Sequence, residues 1–412
     1  MSGFVAEVKD RESSINEVSS VLNFPWSFQK NEIELFNACG QRLSNNIYAT
    51  LPNPNYTKSI RDGYAVKSSD VCASTPSTPT YLKFKGSINM GEVLDVTLLN
   101  GEAFSIHTGG ALPKGADSVV MLENTSLTRN WVEIRGPVQA GENIVQRGEE
   151  FNINDLILSK GELIDFRNAG ILATLGIEKV SVQKIKISIL STGDEIFPIS
   201  EKNIPNGCTR DGNAVSLKML LERYGYKSEY KGILSDQKEE FEKRVTEEID
   251  NADVLILSGG SSVGNRDNCS DYLNKLSNPG LVLRGLNMIP GKPTLLAGDI
   301  ERRKLVISLP GHPLSCIIVA FTFLLPILNK MLGTDPTKTF LRKIRCELES
   351  DLSAKTGAEK FFPAKISEKM TAKPILAKSA YISALSYADG LISIPSSRET
   401  IRRGEEVEML LW

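Results

Sequence analysis

At 412 residues the chain is too long for one compact core, so two to four domains are expected. With 48 Lys and Arg against 50 Asp and Glu, the formal net charge is −2, which argues against general nucleic-acid binding through a basic surface. Six scattered cysteines (Cys39, Cys72, Cys208, Cys269, Cys316 and Cys346) form no CxxC pair, and His107 and His312 are the two histidines, so a zinc site, a disulfide framework and a His-rich metal centre are not indicated.

The N-terminal ten residues lack a basic stretch followed by an apolar core. The longest mainly apolar run, Cys316 to Leu328, falls short of the roughly 20 residues that span a bilayer. A soluble cytoplasmic protein without a membrane segment is expected. Residues 1–50 carry helical periodicity, with Ile15, Val18, Val21, Leu22 and then Ile33, Leu35 and Phe36 on apolar faces. The Pro- and Asn-rich segment Leu51 to Thr57 reads as a linker. From about Lys58 to Gly148, short turn-bounded runs (Tyr81–Phe84, Ala103–His107, Ser118–Leu122, Trp131–Ile134) predict a small β domain. Phe166 to Leu175 reads as a helix ended by Gly176.

Beyond Lys184 the pattern changes. Ile185–Leu190, Asp253–Leu257 and Leu305–Leu309 are apolar strands, each opening into a Gly-rich turn. Between them, Asn213–Tyr224 and Glu239–Asp250 are predicted helices, and Leu314–Leu332 is a third, kinked at Pro326. This alternation predicts a doubly wound, parallel-rich sheet, whose ligands sit beyond the carboxyl ends of the strands. After Thr334 the chain returns to β runs at Ile344–Leu348, Gly390–Pro395 and Val407–Leu411.

The turn Ser258-Gly-Gly-Ser-Ser-Val-Gly-Asn-Arg-Asp267 is the strongest local signal. Glycines after a parallel strand let backbone N–H groups approach an anion, although the same glycines also serve a tight strand–helix turn. Asp62, Asp117, Glu149, Asp194, Asp211 and Asp267 lie mostly beside glycine at turns. As a set they suit Mg²⁺, which takes oxygen ligands and bridges to phosphate; singly, each is a turn or cap residue.

In chain order, Arg61-Asp-Gly-Tyr-Ala-Val, Thr108-Gly-Gly-Ala-Leu-Pro-Lys-Gly-Ala-Asp, Gln146-Arg-Gly-Glu, Ser191-Thr-Gly-Asp-Glu, Asp211-Gly-Asn, Ser258-Gly-Gly, Pro290-Gly-Lys-Pro and Leu309-Pro-Gly-His-Pro resemble the MoeA/gephyrin E-domain family. The resemblance implies an elongated α/β multidomain fold. Its parts are a discontinuous helical, dimer-forming domain (1–50 and 149–182), an inserted β domain (51–148), a molybdopterin-binding-like α/β domain (183–333) and a C-terminal β domain (334–412). It also implies a homodimer, with the active cleft shared between subunits. The family reaction takes adenylylated molybdopterin, molybdate and a divalent metal, and releases adenylate. By the resemblance, Asp62, Glu149, Asp194, Asp267 and Lys292 are the catalytic set, with Asp194 and Asp267 holding Mg²⁺. Gly259, Gly260, Ser262, Asp211, Asn213, Ser315 and Ser379 bind the pterin phosphate, and Asp62 and Glu149 reach in from the partner subunit.

The sequence also departs from the family pattern. Ile289 stands where the family has lysine, Ala358 and Pro363 stand at two arginine positions, and His312 replaces asparagine. A charge-assisted hydrogen bond to an oxyanion contributes about 1.5–3 kcal/mol, so losing a lysine and an arginine weakens molybdate binding by roughly two to four powers of ten. Two functions follow. The first is a non-catalytic dimeric scaffold that grips a protein partner in the inter-subunit cleft as gephyrin does, on the model of a degenerate animal member such as the nematode developmental-timing gephyrin-like protein. The alternative is an active molybdopterin molybdotransferase using Mg²⁺ and molybdopterin-AMP.

Overall fold

In the computed structural model, residues 9–92, 95–259, 268–334, 342–353 and 357–412 are described. The chain divides into two compact units: residues 1–45, 159–173 and 177–412 in one, and residues 46–158 with 174–176 in the other.

The first unit holds a six-stranded sheet made of β1 (Ile187–Thr192), β2 (Ser228–Leu234), β3 (Val254–Ser258), β4 (Pro279–Arg284), β5 (Leu295–Asp299) and β6 (Lys304–Leu309), in spatial order β2-β1-β3-β6-β5-β4. The β2–β1, β1–β3 and β3–β6 pairs are parallel, while β4 and β5 form an antiparallel meander at one edge. β1 and β3 are buried along their whole length, as their unbroken apolar character requires of strands covered on both faces. Alternate side chains divide between two cores. Ile187, Ile189, Ile256 and Ile307 face the helices Gly212–Arg223 and Pro313–Leu332, whereas Leu190, Leu255, Leu257 and Val306 face the helix Lys238–Asn251.

Asp211 caps the helix Gly212–Arg223, its carboxylate accepting from Ala214 N, and Gly225 leaves it with a φ of 76°. Of the apolar residues on this helix, Leu217 and Leu221 are buried but Val215 and Met219 are exposed. The stretch Pro313–Leu332 is continuous for 20 residues, long and apolar enough to cross a membrane, which corrects the shorter Cys316–Leu328 estimate. Of its most apolar 18-residue window 89% is buried inside the protein, and the stretch serves as a core helix. Pro326 acts through a π-turn at Ala320–Leu324. Pro326 offers no N–H to the Thr322 carbonyl, which instead accepts from Arg11 Nη1 at 3.3 Å.

In the C-terminal part, Glu359–Ile366, Thr371–Pro374, Arg342–Leu348, Glu406–Leu411 and Gly390–Ile394 pair in that order, and Gly390–Ile394 returns to Glu359–Ile366. The strands therefore close into a small barrel around Phe362, Ala364, Ile392 and Met409. Met288–Ile289 adds a short parallel strand outside it, with Ile289 in register with Lys360.

The first fifty residues are less helical than their periodicity predicts. The helix covers Arg11–Val21 and buries Ile15 and Val18, but Gln29–Glu34 is a strand paired with Lys179–Lys184. There the ladder to a second β-forming segment outweighs local propensity, and Phe36 is fully exposed.

The second unit is built on a six-stranded sheet in the order Ser118–Met121, Gly63–Val66, Glu102–Ile106, Thr80–Ile88, Trp131–Ile134, Thr125–Thr128. Its core contains Val66, Leu82, Val120 and Val132. At Gly63 a Cβ would lie 2.0 Å from the Val120 carbonyl oxygen, so the Asp-Gly-Tyr motif requires glycine for strand approach.

Candidate functional site

The carboxyl ends of β1, β3 and β6 open into a cleft of about 1010 Å³. Three glycine-bearing turns meet there because no side chain keeps them apart. A Cβ on Gly259 would lie 2.7 Å from the Thr192 carbonyl oxygen, Gly259 has a φ of 101°, and the Cβ position of Gly311 lies 3.6 Å from Gly259 Cα. Asn213 ties these turns together, its Nδ2 donating to Ser258 Oγ at 3.0 Å and to the Gly311 carbonyl at 2.8 Å.

The floor of the cleft carries two hydroxyls without partners. Ser191 Oγ and Thr192 Oγ1 are buried and form no hydrogen bond among the described residues, and both residues line the cleft. Buried polar atoms left unpaired are costly, so such a pair at a strand terminus marks a place where a polar ligand completes the structure. The rim adds Lys292, whose exposed ammonium has no hydrogen-bond or ion-pair partner among the described residues, together with Glu195 and Ser315.

Other expected residues take different places. Asp194 is exposed in the turn after β1 and accepts from Asp236 N at 3.0 Å. Asp211 lines the cleft, but both its oxygens are engaged, one with Ala214 N and one with Tyr230 Oη at 2.8 Å. Burial, and then that bond to Asp211, pushes the Tyr230 phenol well above its ordinary range. His312 Nδ1 lies 2.8 Å from Ser379 Oγ, and Leu314 N donates to the Ser379 carbonyl, so His312 and Ser379 bind a loop of the barrel part to the turn after β6. Gly260, Ser262 and Asp267 lie outside the described residues.

Asp62 and Glu149 belong to the second unit and are built into turns there. Asp62 accepts from Thr108 N at 2.9 Å, and this bond, helped by His107 nearby, lowers its carboxyl below the usual range. Glu149 accepts from Gln146 N at 2.7 Å. Among the departures, Ile289 is exposed on the cleft wall. Ala358 is half-buried just before its strand, and Pro363 is buried within it. Lys360 is the register partner of Ile289, but its ammonium lies 4.9 Å from the Phe362 ring and 3.4 Å from the Ser353 carbonyl.

No three His, Cys, Asp or Glu side chains come together among the described residues. The donors that line the cleft are instead the carboxylate of Glu195 and the two hydroxyls unpartnered among the described residues, with the exposed Asp194 beside Glu195 in the same turn. Such a set fits a hard cation held by one or two carboxylates and by the phosphate oxygens of a substrate. The hydroxyls and Glu195 stand in the Ser191-Thr-Gly-Asp-Glu motif but were not singled out as site residues from the sequence. Their one signal was the polar end, Ser191-Thr192, of an otherwise apolar strand.

A parallel-rich α/β sheet with a glycine-walled cleft at its carboxyl edge, joined to a small barrel and an inserted β unit, defines a MoeA-like multidomain protein. The chain belongs to the MoeA family. Residues 7–176 match the MoeA N-terminal region (domain I and II), 188–330 the probable molybdopterin binding domain, and 345–412 the MoeA C-terminal region (domain IV). A putative molybdopterin biosynthesis protein of Methanocaldococcus jannaschii is 29% identical over 92% of each chain. A molybdopterin molybdenumtransferase of Staphylococcus aureus is 27% identical over 96% of this chain and 94% of its own. The crystal structure of a molybdopterin biosynthesis MoeA protein from Pyrococcus horikoshii is similar with a TM-score of 0.76 and 28% identity, covering 98% of this chain and 99% of that one.

Proposed function

We propose that this chain is a cytoplasmic, homodimeric molybdopterin molybdotransferase, which takes molybdate as substrate into adenylylated molybdopterin and releases adenylate. The observation that carries the reading is the cleft floor, where the Gly193, Gly259 and Gly311 turns meet beside the unpartnered hydroxyls of Ser191 and Thr192. Backbone and hydroxyl donors in a half-enclosed site suit phosphate oxygens, and Lys292 adds the cation that an anionic substrate requires. Asp194 and Glu195 would hold Mg²⁺, which when bound neutralises charge on the phosphate oxygens. Relatives named molybdopterin molybdenumtransferase extend over nearly the whole chain, which favours this reading.

A second reading, the non-catalytic scaffold with a protein partner in the inter-subunit cleft, rests on Ile289, Ala358 and Pro363 at positions where the resemblance expects cations. The nematode developmental-timing type is its narrowest form. One experiment separates the two readings. Purified chain receives adenylylated molybdopterin, Mg²⁺ and molybdate, and adenylate release is followed. Turnover that needs both Mg²⁺ and molybdate is expected. Absence of turnover, with no rise in melting temperature on adding molybdate or tungstate, would leave only the scaffold.

A further inference from the structure

A second cavity, of about 830 Å³, lies at the opposite end of the sheet from the cleft, beside the amino ends of β1 and β2. Four lysines line it, Lys184, Lys186, Lys227 and Lys231, against two glutamates, Glu222 and Glu229. Both glutamates are already neutralised. Lys218 pairs with Glu222 one helical turn away, and Lys231 holds Glu229 at 2.6 Å. The ammonium groups of Lys184, Lys186 and Lys227 have no hydrogen-bond or ion-pair partner among the described residues, and all three side chains are exposed. Two further carboxylates border the cavity: Asp253 accepts from the backbone N of Lys186, and Glu248 accepts from Ser188 Oγ at 3.4 Å while pairing with Arg244 at 3.3 Å.

An independent observation points the same way. Ser228, which lines this cavity, is more than nine-tenths buried, yet its Oγ finds no partner among the described residues. The Gln41 side-chain amide, also on the wall, is likewise without a protein partner among the described residues. Gly225 also lines the cavity, and a Cβ there would lie 2.2 Å from Leu163 Cδ1 and 3.0 Å from the Gly40 carbonyl oxygen. An adjoining cavity of about 220 Å³ shares Lys184 and Lys186, but its own cations are committed: Arg302 to Asp250, Arg303 to the Ser27 carbonyl and Lys304 to the Ala252 carbonyl. Ammonium groups free of direct ion pairs among the described residues are therefore concentrated at Lys184, Lys186 and Lys227, over a concave surface that also carries the Gln41 amide, with the Ser228 hydroxyl buried beneath it.

We infer that this cavity is a second anion site, separate from the cleft, that takes a compact polyphosphate group. Phosphate oxygens accept from several point-charge ammonium groups at once and from neutral donors between them. No aromatic side chain lines the cavity, so nothing here stacks on a nucleobase, and recognition rests on the phosphates.

The test is calorimetric titration of the whole chain with sodium pyrophosphate at low ionic strength, with sulfate at matched ionic strength as control. Binding is expected in the wild type and in Lys292→Ala, where the cleft has lost its cation. The pair Lys186→Ala and Lys227→Ala should weaken it by about tenfold or more. Ser228→Ala should weaken it by a few-fold, and Lys243→Ala, on the exposed side of the helix Lys238–Asn251, should not change it. Because the lysines are exposed, the double variant is expected to fold normally, which its melting curve checks. ATP should bind no tighter than inorganic tripolyphosphate. The inference is overturned if pyrophosphate does not bind, if sulfate matches it, if binding is lost in Lys292→Ala alone, or if the double variant binds like the wild type. ATP binding well above tripolyphosphate overturns the base-independent recognition.

Discussion

The guanidinium of Arg11, near the start of the first helix, meets the carboxylate of Glu359, at the start of a barrel strand, at 3.0 Å. Both side chains are largely withdrawn from solvent. Arg11 also serves the Thr322 carbonyl left free by Pro326, and Ser393 Oγ donates to Glu359 at 2.9 Å. One ion pair thus joins the N-terminal helix, the central core helix and the barrel. Removing Glu359 leaves the largely buried Arg11 charge with only the exposed Glu12 carboxylate, at 3.6 Å, among the described residues. Glu359→Ala is expected to cost about 3 kcal/mol in urea denaturation. The double change Arg11→Met with Glu359→Ala should cost less than the sum of the two single changes. A single-variant cost below about 0.5 kcal/mol would show the pair to be solvent-screened.

Lys292 and Gly259 make different contributions to the cleft. The Lys292 ammonium has no hydrogen-bond or ion-pair partner among the described residues, so Lys292→Ala should leave the melting temperature unchanged while weakening adenylylated-substrate binding by roughly 10- to 150-fold. Gly259→Ala should act in the reverse order. Its Cβ would collide with the Thr192 carbonyl at a backbone angle that favours glycine, so stability falls by about 1–3 kcal/mol and the cleft changes shape. Equal loss of stability in both variants would contradict this division.

Alkaline pH should expose two buried acids. Burial pushes the Cys316 thiol from 9.0 up to about 12, and burial pushes the Tyr226 phenol from 10.0 up to about 12, partly opposed by Arg42. Both folded-state values are raised, so the folded chain holds these protons more tightly than the unfolded one. Their contribution is complete below about pH 9 and is lost as pH rises towards 12, with a slope of up to about 1.4 kcal/mol per pH unit for each group in its window. Between pH 9 and 10 Cys316 acts before Tyr226, so Cys316→Ala should flatten the decline there. An unchanged slope in that interval, measured by urea midpoints at each half unit, would mean that the thiol titrates as if exposed.

Much of this architecture is legible in the residues, and the exceptions have physical causes. The unbroken apolar strands before Gly-rich turns, and the helix capped by Asp211 and ended by Gly225, are local signals that the fold uses as written. The antiparallel strands Pro279–Arg284 and Leu295–Asp299 were not legible, since Pro279, Gly280 and Gly298 disguise them as turns. The barrel strand Glu359–Ile366 is interrupted in sequence by Pro363. The Ile33–Phe36 periodicity misled because a strand partner 150 residues away settled that segment. In the cleft, the glycine turns and Lys292 were readable. That Asp211 and Asn213 would be occupied inside the protein, and that Ser191 and Thr192 would be left unpaired, depended on side-chain packing that spacing does not encode.

Ile289 and Pro363, where the resemblance expects cations, lie in different surroundings and are testable one at a time. Ile289 is 43% exposed on the cleft wall, so Ile289→Lys has room and should change stability by no more than about 0.5 kcal/mol. Its ammonium would join Lys292 on the same wall and, if oxyanion binding is limited by missing charge, should tighten molybdate by about tenfold. Pro363 is different. It is buried between Phe362 and Ala364, in register with Leu391, and its carbonyl accepts from Ile375 N at 2.7 Å. Pro363→Arg therefore introduces a long cation into packed barrel and is expected to cost about 1–3 kcal/mol through overpacking. The single change at Ile289 should recover more anion binding per unit of lost stability than the pair. Differential melting with and without molybdate measures both quantities. Should Ile289→Lys leave molybdate affinity unchanged, charge at this position is not what the cleft lacks.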